Sequence, residues 1–171
     1  DQPQLFIYSG HGSKSGIGTP YNWYYNSISD INTQTPYSMG FGFACLLNTY
    51  TTNKSFASRW VANYNGGVTY YGATSTTSLA PDRMLSKKIF SKYQKIYKAT
   101  SNCPISVWLR VAETDYYNAM RGSIRKRQIH RYNLIGDPTL FIKGFNPNMY
   151  KSPKKDNFNK HHSIISSTDK E

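Results

Sequence analysis

Acidic residues and cysteines are scarce in this sequence, and it contains no long apolar run. Nine Asp and Glu residues stand against 21 Lys and Arg residues, which gives a formal net charge of +12. Two cysteines are too few for a disulfide framework or a cysteine-based zinc site. No stretch approaches the roughly 20 apolar residues of a membrane-spanning helix. These absences exclude a disulfide-stabilised small domain and a helical membrane span within this chain.

The excess of basic residues lies mainly in two short regions. One is the run Arg125-Lys126-Arg127, and the other is the C-terminal stretch with Lys151, Lys154, Lys155 and Lys160. Such an excess can indicate binding to nucleic acid or to an anionic surface. The sequence has no recognised nucleic-acid motif and no helix with a concentrated basic face. We therefore favour a basic loop and a solvated tail, and we expect no specific nucleic-acid partner.

The length of 171 residues is typical of one domain with a single core. The chain shows no signal segment and no initiator Met, and it opens on what reads as an interior strand, so we expect a partial or processed chain. After Gly144 hydrophobic residues become rare, while Asn, Lys, Ser and Pro dominate. We predict one domain over residues 1–143 and a basic, disordered tail over residues 144–171.

Strand and helix patterns alternate along the first 143 residues, which is typical of an α/β fold with a mostly parallel sheet covered by helices. The predicted strands lie at 5–8, 39–44 and 68–71, with a closing pair at 132–135 and 139–142. The predicted helices lie over 55–64, from Pro81 to about residue 96, and from Pro104 to about residue 120. Residues 12–36 predict a long loop with a short helix near 27–32.

Two of the predicted strands are followed closely by residues that can take part in nucleophilic catalysis. His11 follows the first strand, and Cys45 follows the second, 34 positions later (45 minus 11). Adjacent parallel strands would bring both to the carboxyl edge of the sheet, where open α/β sheets place their sites. A thiol beside an imidazole can perform nucleophilic catalysis, because the thiolate attacks and the histidine moves the proton. The alternatives are a turn histidine, a buried core cysteine, or a disulfide between Cys45 and Cys103 that removes the nucleophile.

Four segments, taken in order, resemble the gingipain-type cysteine peptidases of family C25. They are Tyr8-Ser9-Gly10-His11-Gly12-Ser13, Ala44-Cys45-Leu46-Leu47-Asn48, Gly66-Gly67-Val68 with Gly72-Ala73-Thr74, and Tyr132-Asn133-Leu134-Ile135-Gly136-Asp137-Pro138-Thr139-Leu140. The resemblance covers about residues 4–143 and implies a caspase-haemoglobinase-like α/β/α sandwich. Members of this fold have strands ahead of the histidine strand. We therefore expect this chain to lack those N-terminal strands and to present an open sheet edge.

The resemblance also implies an activity and its residues. It implies a cysteine endopeptidase that acts on protein or peptide substrates without a metal or cofactor, and that is secreted or displayed at the cell surface. His11 is similar to the family histidine and Cys45 to its nucleophile. The backbone N–H groups of Gly12 and Cys45 would hold the oxyanion.

For specificity, the resemblance points to the loop after the third strand. Leu79 would form an apolar pocket wall, and Asp82 would select Lys or Arg before the cleaved bond. Relatives that cut after lysine carry an acidic residue at a similar distance past this strand. The alternative is that Asp82 only complements the dipole of the helix that it opens.

Three function classes follow from these observations, in decreasing order of preference. The first is the catalytic region of a cysteine endopeptidase. The second is a truncated or inactive peptidase-like module with a binding or structural role. The third is a basic nucleic-acid binder in which the histidine and cysteine are incidental.

Overall fold

Strands and helices alternate along the chain in a computed structural model, which describes residues 5–18, 23–24, 28, 37–50, 54–100 and 103–142. The strands are β1 (Leu5–Ser9), β2 (His11–Ser13), β3 (Gly16–Gly18), β4 (Trp23–Tyr24), β5 (Tyr37–Phe43), β6 (Gly67–Ala73) and β7 (Tyr132–Gly136). The helices are α1 (Phe56–Ala62), α2 (Leu79–Thr100), α3 (Ile105–Ala119) and α4 (Ser123–Lys126), which a 3-10 helix (Arg127–Arg131) follows.

The main sheet has the strand order β1-β5-β6-β7. The first three strands are parallel, and β7 runs antiparallel to β6. A parallel connection needs a crossover, and α1 supplies the one between β5 and β6. The predicted α/β fold with a mostly parallel sheet is therefore confirmed, as is the side-by-side order of the three strands that precede His11, Cys45 and the loop after Ala73.

The middle strand β5 shows how the sequence builds the two faces of this sheet. Its residues Met39, Phe41 and Phe43 are buried in the cluster that includes side chains of α2 and α3. The glycines between them face the opposite layer, where the ring of Tyr70 crosses the sheet. A Cβ atom on Gly42 would overlap the Tyr70 hydroxyl and lie 2.7 Å from a methyl carbon of Leu47. The alternation of large residues with glycine therefore leaves room for a ring on one face only.

Two hydrophobic layers flank the sheet. On one face, α2 and α3 contribute the buried residues Leu85, Ile89, Tyr93, Ile105, Trp108, Leu109, Ala112 and Tyr116. The indole N–H of Trp108 donates to the carbonyl of Ile89 at 2.6 Å, which ties these two helices together. On the other face, α1 buries Phe56, Ala57 and Trp60 around Tyr70. The helices on both faces make the three-layer arrangement that the family resemblance implies.

The closing strand pair predicted at 132–135 and 139–142 is half wrong. Residues 132–136 form β7, but within 139–142 only Phe141 makes an isolated bridge, with Pro104. The carbonyls of Pro138 and Leu140 instead accept the N–H groups of Ser106 and Ile105, at 3.1 and 2.9 Å. The first N–H groups of a helix lack partners within that helix. The carbonyls of this apolar segment therefore accept hydrogen bonds from the first turn of α3, and the segment forms no strand.

The long loop predicted over 12–36 is also partly wrong. It contains a small antiparallel sheet in the order β2-β3-β4, with His11 paired to Gly18 and Gly16 paired to Tyr24. Strands of only two or three residues are too short to show an apolar alternation, so a pattern search misses them. The short helix predicted near 27–32 lies outside the described residues except for Ile28, which is buried. The predicted disorder of residues 144–171 also lies outside them.

Candidate active site

His11 and Cys45 lie at the ends of neighbouring parallel strands. The register of β1 and β5 pairs Ser9 with Phe43, and the N–H of Gly10 then donates to the carbonyl of Phe43 at 3.3 Å. His11 and Cys45 each follow two residues after that last pair. The sheet therefore places His11 and Cys45 after the same edge, as the apolar runs in the sequence predicted, and their catalytic roles stay a prediction.

The backbone of His11 is anchored while its side chain is exposed. The hydroxyl of Tyr8 contacts the carbonyl oxygen of His11 at 2.8 Å and also that of Gly18, on the paired strand β3. Burial raises the pKa of Tyr8, so its hydroxyl stays protonated and can donate. This contact holds β2 at the end of β1 and leaves the imidazole accessible to solvent.

Gly12 packs directly against the main chain at Cys45. A Cβ atom at Gly12 would lie 2.7 Å from the carbonyl oxygen of Cys45 and 2.9 Å from the Cβ of Ala44. Real Cβ atoms do not come that close, so only glycine lets the two backbones approach in this way. The two residues predicted to supply oxyanion-binding N–H groups are therefore in contact, and that role stays a prediction.

The chain turns sharply immediately after Cys45. Leu46 adopts a left-handed conformation with φ of 62°, which is uncommon for a residue with a side chain and costs on the order of 1–3 kcal/mol. Its N–H donates to the carbonyl of Ser75 at 3.1 Å, and the N–H of Asn48 donates to that of Ala73 at 2.8 Å. The turn therefore lies just past the end of β5, directly after Cys45, and ties the following residues to the end of β6.

Two buried polar side chains hold this turn. The amide of Asn48 donates to the carbonyl of Asn133 on β7 at 2.9 Å. The hydroxyl of Thr49 contacts the carbonyl of Leu46 at 2.8 Å. This role of Asn48 and Thr49 was not predicted from the sequence. The available signal was a pair of residues with local hydrogen-bonding side chains directly after the candidate nucleophile.

Thr77, in the loop between β6 and α2, is the close polar neighbour of the Cys45 thiol. Its N–H donates to Sγ at 3.3 Å. Sγ also lies 3.7 Å from the hydroxyl and the carbonyl oxygens of Thr77. Cys45 and Cys103 are both free and half-buried, which excludes the disulfide alternative. Thr77 was not predicted from the sequence, because it lies 32 positions from Cys45.

The two residues predicted to form the specificity pocket have different surroundings. Leu79 is 63% exposed at the first residue of α2. Asp82 is 3% exposed and lies in the first turn of that helix. Its carboxylate accepts hydrogen bonds from the hydroxyl of Thr77 at 2.7 Å, the amide of Gln128 at 2.6 Å and the hydroxyl of Tyr132 at 2.7 Å.

The described part of the chain offers neither a metal site nor a membrane-spanning helix. Within it, no group of three or more His, Cys, Asp and Glu side chains is placed to hold a metal ion. None of its helices is both long enough and apolar enough to cross a bilayer.

Comparison with known sequences points to one protein family. The family model described as peptidase family C25 matches residues 2–143. Among proteins with curated descriptions, none matches the sequence.

Comparison with solved structures points to the same fold. The chain is similar to the Arg-specific cysteine proteinase gingipain R, with a TM-score of 0.66 and 17% identity over 81% of this chain and 33% of that one. It is also similar to the complex of Porphyromonas gingivalis RgpB pro- and mature domains, with a TM-score of 0.64 and 17% identity over 81% of this chain and 34% of that one. The chain thus spans about a third of the length of these structures.

Proposed function

Because the chain belongs to peptidase family C25, we propose that it carries the catalytic dyad of a cysteine endopeptidase. Cys45 is the nucleophile in this proposal, and His11 is the group that transfers protons. The observation that supports it is the pairing of Ser9 with Phe43, which ends the histidine strand and the cysteine strand at the same edge. The sharp turn at Leu46 adds support, because it leaves the thiol at the end of its strand.

The proposed reaction proceeds in two steps. The Cys45 thiolate attacks the carbonyl carbon of the scissile peptide bond, and the N–H groups of Gly12 and Cys45 stabilise the resulting oxyanion. The carbon–nitrogen bond then breaks, and His11 gives its proton to the leaving amine. A water molecule, deprotonated by His11, attacks the thioester, releases the carboxylic acid and restores the thiol.

Specificity for Lys or Arg before the cleaved bond is a further part of the proposal. The name of one matched structure describes an Arg-specific enzyme, and the loop that leads to Leu79 contacts the thiol of Cys45. The buried hydrogen bonds of Asp82 favour a supporting role for this carboxylate over direct contact with a substrate cation. The preference of an Asp82→Asn variant for basic over uncharged residues tests the predicted pocket role.

The test of the dyad uses the full-length protein that contains this chain. Cys45→Ala and His11→Ala should each reduce peptide cleavage by on the order of 1,000-fold or more, because the thiolate and the proton donor act in the same step. Cys103→Ala is the matched control, because this thiol lies against the carbonyl of Pro104 and should leave cleavage unchanged. Circular dichroism checks that all three variants fold. Cleavage that persists in the Cys45 variant contradicts the proposal.

The alternative of an inactive module predicts a different result for the wild-type protein. A non-catalytic relative would cleave no peptide, and its Cys45 would react with iodoacetamide no faster than an ordinary thiol. We also propose secretion or display at the cell surface, on the family resemblance alone. Detection of the protein in the culture medium or on intact cells, compared with the cell lysate, tests that location.

A further inference from the structure

The thiol of Cys45 contacts a loop that has no role in the proposed dyad. This loop, residues 74–78, connects β6 to α2. The N–H of Thr77 within it donates to Cys45 Sγ at 3.3 Å. A hydrogen bond donated to the charged form of a group favours that form, so this N–H stabilises a thiolate more than a thiol. The benefit depends on how firmly Thr77 is held in place.

The hydroxyl of Thr77 has a different role from its N–H. It donates its one proton to Asp82 Oδ2 at 2.7 Å, so it presents only lone pairs towards Cys45 Sγ, 3.7 Å away. Lone pairs do not stabilise a thiolate. The hydroxyl therefore acts as an anchor that fixes the direction of the neighbouring N–H.

Asp82 is a rigid partner for this anchor. Its Oδ1 atom accepts from the amide of Gln128 at 2.6 Å and from the hydroxyl of Tyr132 at 2.7 Å, and the residue is buried. Tyr132 belongs to β7 of the main sheet, and Gln128 belongs to the 3-10 helix. Three donors on one buried carboxylate hold both of its oxygens in fixed positions.

The rest of the loop is tied to the same 3-10 helix. The N–H and the hydroxyl of Thr74 contact the carbonyl of Arg131 at 2.6 and 3.0 Å. The guanidinium of Arg131 donates in return to the carbonyl of Thr76 at 2.7 Å. The loop is thus held at both ends, with Thr77 between the tie to Arg131 and the tie to Asp82.

We propose that Thr77 and Asp82 form a positioning pair for the nucleophile, in which Asp82 fixes Thr77 and the Thr77 N–H stabilises the Cys45 thiolate. This inference rests on the proposed function of Cys45 as the nucleophile. It gives the buried carboxylate a role that differs from selection of a basic substrate residue. Loss of the anchor should lower kcat while KM changes little, because in this proposal Asp82 acts through Thr77 and makes no contact with the substrate.

The test compares Thr77→Val with Thr77→Ser in the full-length protein. Valine has nearly the shape of threonine but cannot donate to Asp82, whereas serine keeps the hydroxyl. The rate of Cys45 alkylation by iodoacetamide is measured against pH, by mass spectrometry of the peptide that contains Cys45. Alkylation of Cys103 in the same samples serves as an internal standard.

At mildly acidic pH we expect Thr77→Val to slow alkylation of Cys45 on the order of tenfold and to move the pH midpoint of alkylation upwards. Thr77→Ser should behave like the wild type, and Cys103 should react equally in all samples. A Thr77→Val profile identical to that of the wild type overturns the inference. If Thr77→Val does not fold, Asp82→Ala removes the acceptor for the Thr77 hydroxyl instead, with slower Cys45 alkylation expected and an unchanged profile overturning the inference.

Peptide cleavage by the wild type is measured in parallel, which separates this inference from the proposed function. If the wild type cleaves no peptide but its Cys45 alkylation depends on Thr77, the peptidase proposal fails and the positioning pair stands. If the wild type cleaves peptide and the two alkylation profiles coincide, the positioning pair fails and the peptidase proposal stands. A changed preference for the residue before the cleaved bond in Asp82→Ala, with alkylation unchanged, supports the pocket role and overturns the positioning role.

Discussion

Individual residues around Cys45 determine how closely the backbone segments approach each other, in addition to any chemical role. Gly12 is the clearest case, because its missing side chain lets the end of the histidine strand touch the main chain at Cys45. Leu46 is the converse case, since it accepts an unfavourable backbone conformation that turns the chain after the thiol. Both positions show that the geometry of this edge is set by the backbone, with the surrounding hydrogen bonds offsetting the strain.

Substitution of Gly12 tests this closeness directly. In Gly12→Ala the added methyl would meet the Cys45 carbonyl oxygen at 2.7 Å, so the two strand ends must separate. We expect destabilisation of about 1–3 kcal/mol in urea unfolding and a loss of peptide cleavage larger than that destabilisation explains. The exposed Ser9, at the end of β1, provides the control Ser9→Ala, which should change neither quantity. Full cleavage by Gly12→Ala would contradict the contribution of this residue to the site.

At the scale of elements, two adjacent tyrosines of β6 point to opposite faces of the sheet. Tyr71 donates its hydroxyl to Glu113 on α3 at 2.8 Å. Tyr70 is buried on the other face, and its hydroxyl has no partner among the described residues. Burial raises the pKa of both hydroxyls, so both stay protonated at neutral pH. Adjacent residues of one strand thus have the same side chain and opposite hydrogen-bonding states.

This contrast predicts opposite effects of the same substitution. Tyr70→Phe removes a buried hydroxyl without a described partner, so the free energy of unfolding should stay unchanged or rise. Tyr71→Phe removes a hydrogen bond and leaves the Glu113 carboxylate without that donor, so it should lower the free energy of unfolding by about 1–3 kcal/mol. Thermal and urea unfolding of the two variants provide the measurement. A larger loss for Tyr70→Phe than for Tyr71→Phe would show that the Tyr70 hydroxyl has a partner after all.

The elements also show where a strand pattern misleads. The apolar run at 139–142 has the composition of a strand, but its carbonyls satisfy the first turn of α3. Just before it, the carboxylate of Asp137 accepts the N–H and the hydroxyl of Thr139, at 2.8 and 2.7 Å, and this local turn redirects the chain. The hydroxyl hydrogen bond, followed by the backbone one, lowers the pKa of Asp137. The partner of the segment after this turn was not predicted from the sequence.

At the scale of the whole molecule, Glu113 is a half-buried acid in a strongly basic chain. Glu113 lines a cavity of about 420 Å³ together with Arg110, His130 and Asn133. Burial raises the pKa of Glu113 above its ordinary value of 4.5, although Tyr71, Arg110 and His130 partly oppose that shift. The folded protein therefore binds this proton more tightly than the unfolded chain does.

The raised pKa of Glu113 predicts how stability depends on pH. As pH rises through 4.5, the unfolded chain loses this proton first, so the contribution of Glu113 to stability falls until pH passes the folded pKa. Glu113→Gln removes the titration and keeps an oxygen that can accept from Tyr71. We therefore expect the variant to gain stability relative to the wild type between pH 4 and pH 7, as measured by urea unfolding. A difference that stays constant across this range would contradict the raised pKa.

The sequence by itself determined the class of the fold and the placement of His11 and Cys45 after neighbouring parallel strands. Short apolar runs that end in Gly-His-Gly and in Ala-Cys predict strands with reactive residues at their carboxyl ends. Parallel pairing then brings those ends together. These are local patterns of burial and turn chemistry, and the intervening helix α1 is amphipathic enough to be predicted as well. That is why the sequence alone was enough to predict the strand order and the placement of His11 and Cys45 after neighbouring strands.

Only the tertiary structure decided how the thiol is held. The contact of Cys45 with Thr77 spans 32 positions, and that of Asp82 with Tyr132 spans 50 positions. Hydrogen bonds between segments so far apart leave no periodic pattern in the sequence. An aspartate in the first turn of a helix is equally consistent with a dipole partner, a substrate pocket or a buried anchor. The packing of β7 and the 3-10 helix against that turn is what buries Asp82 and directs its carboxylate to Thr77.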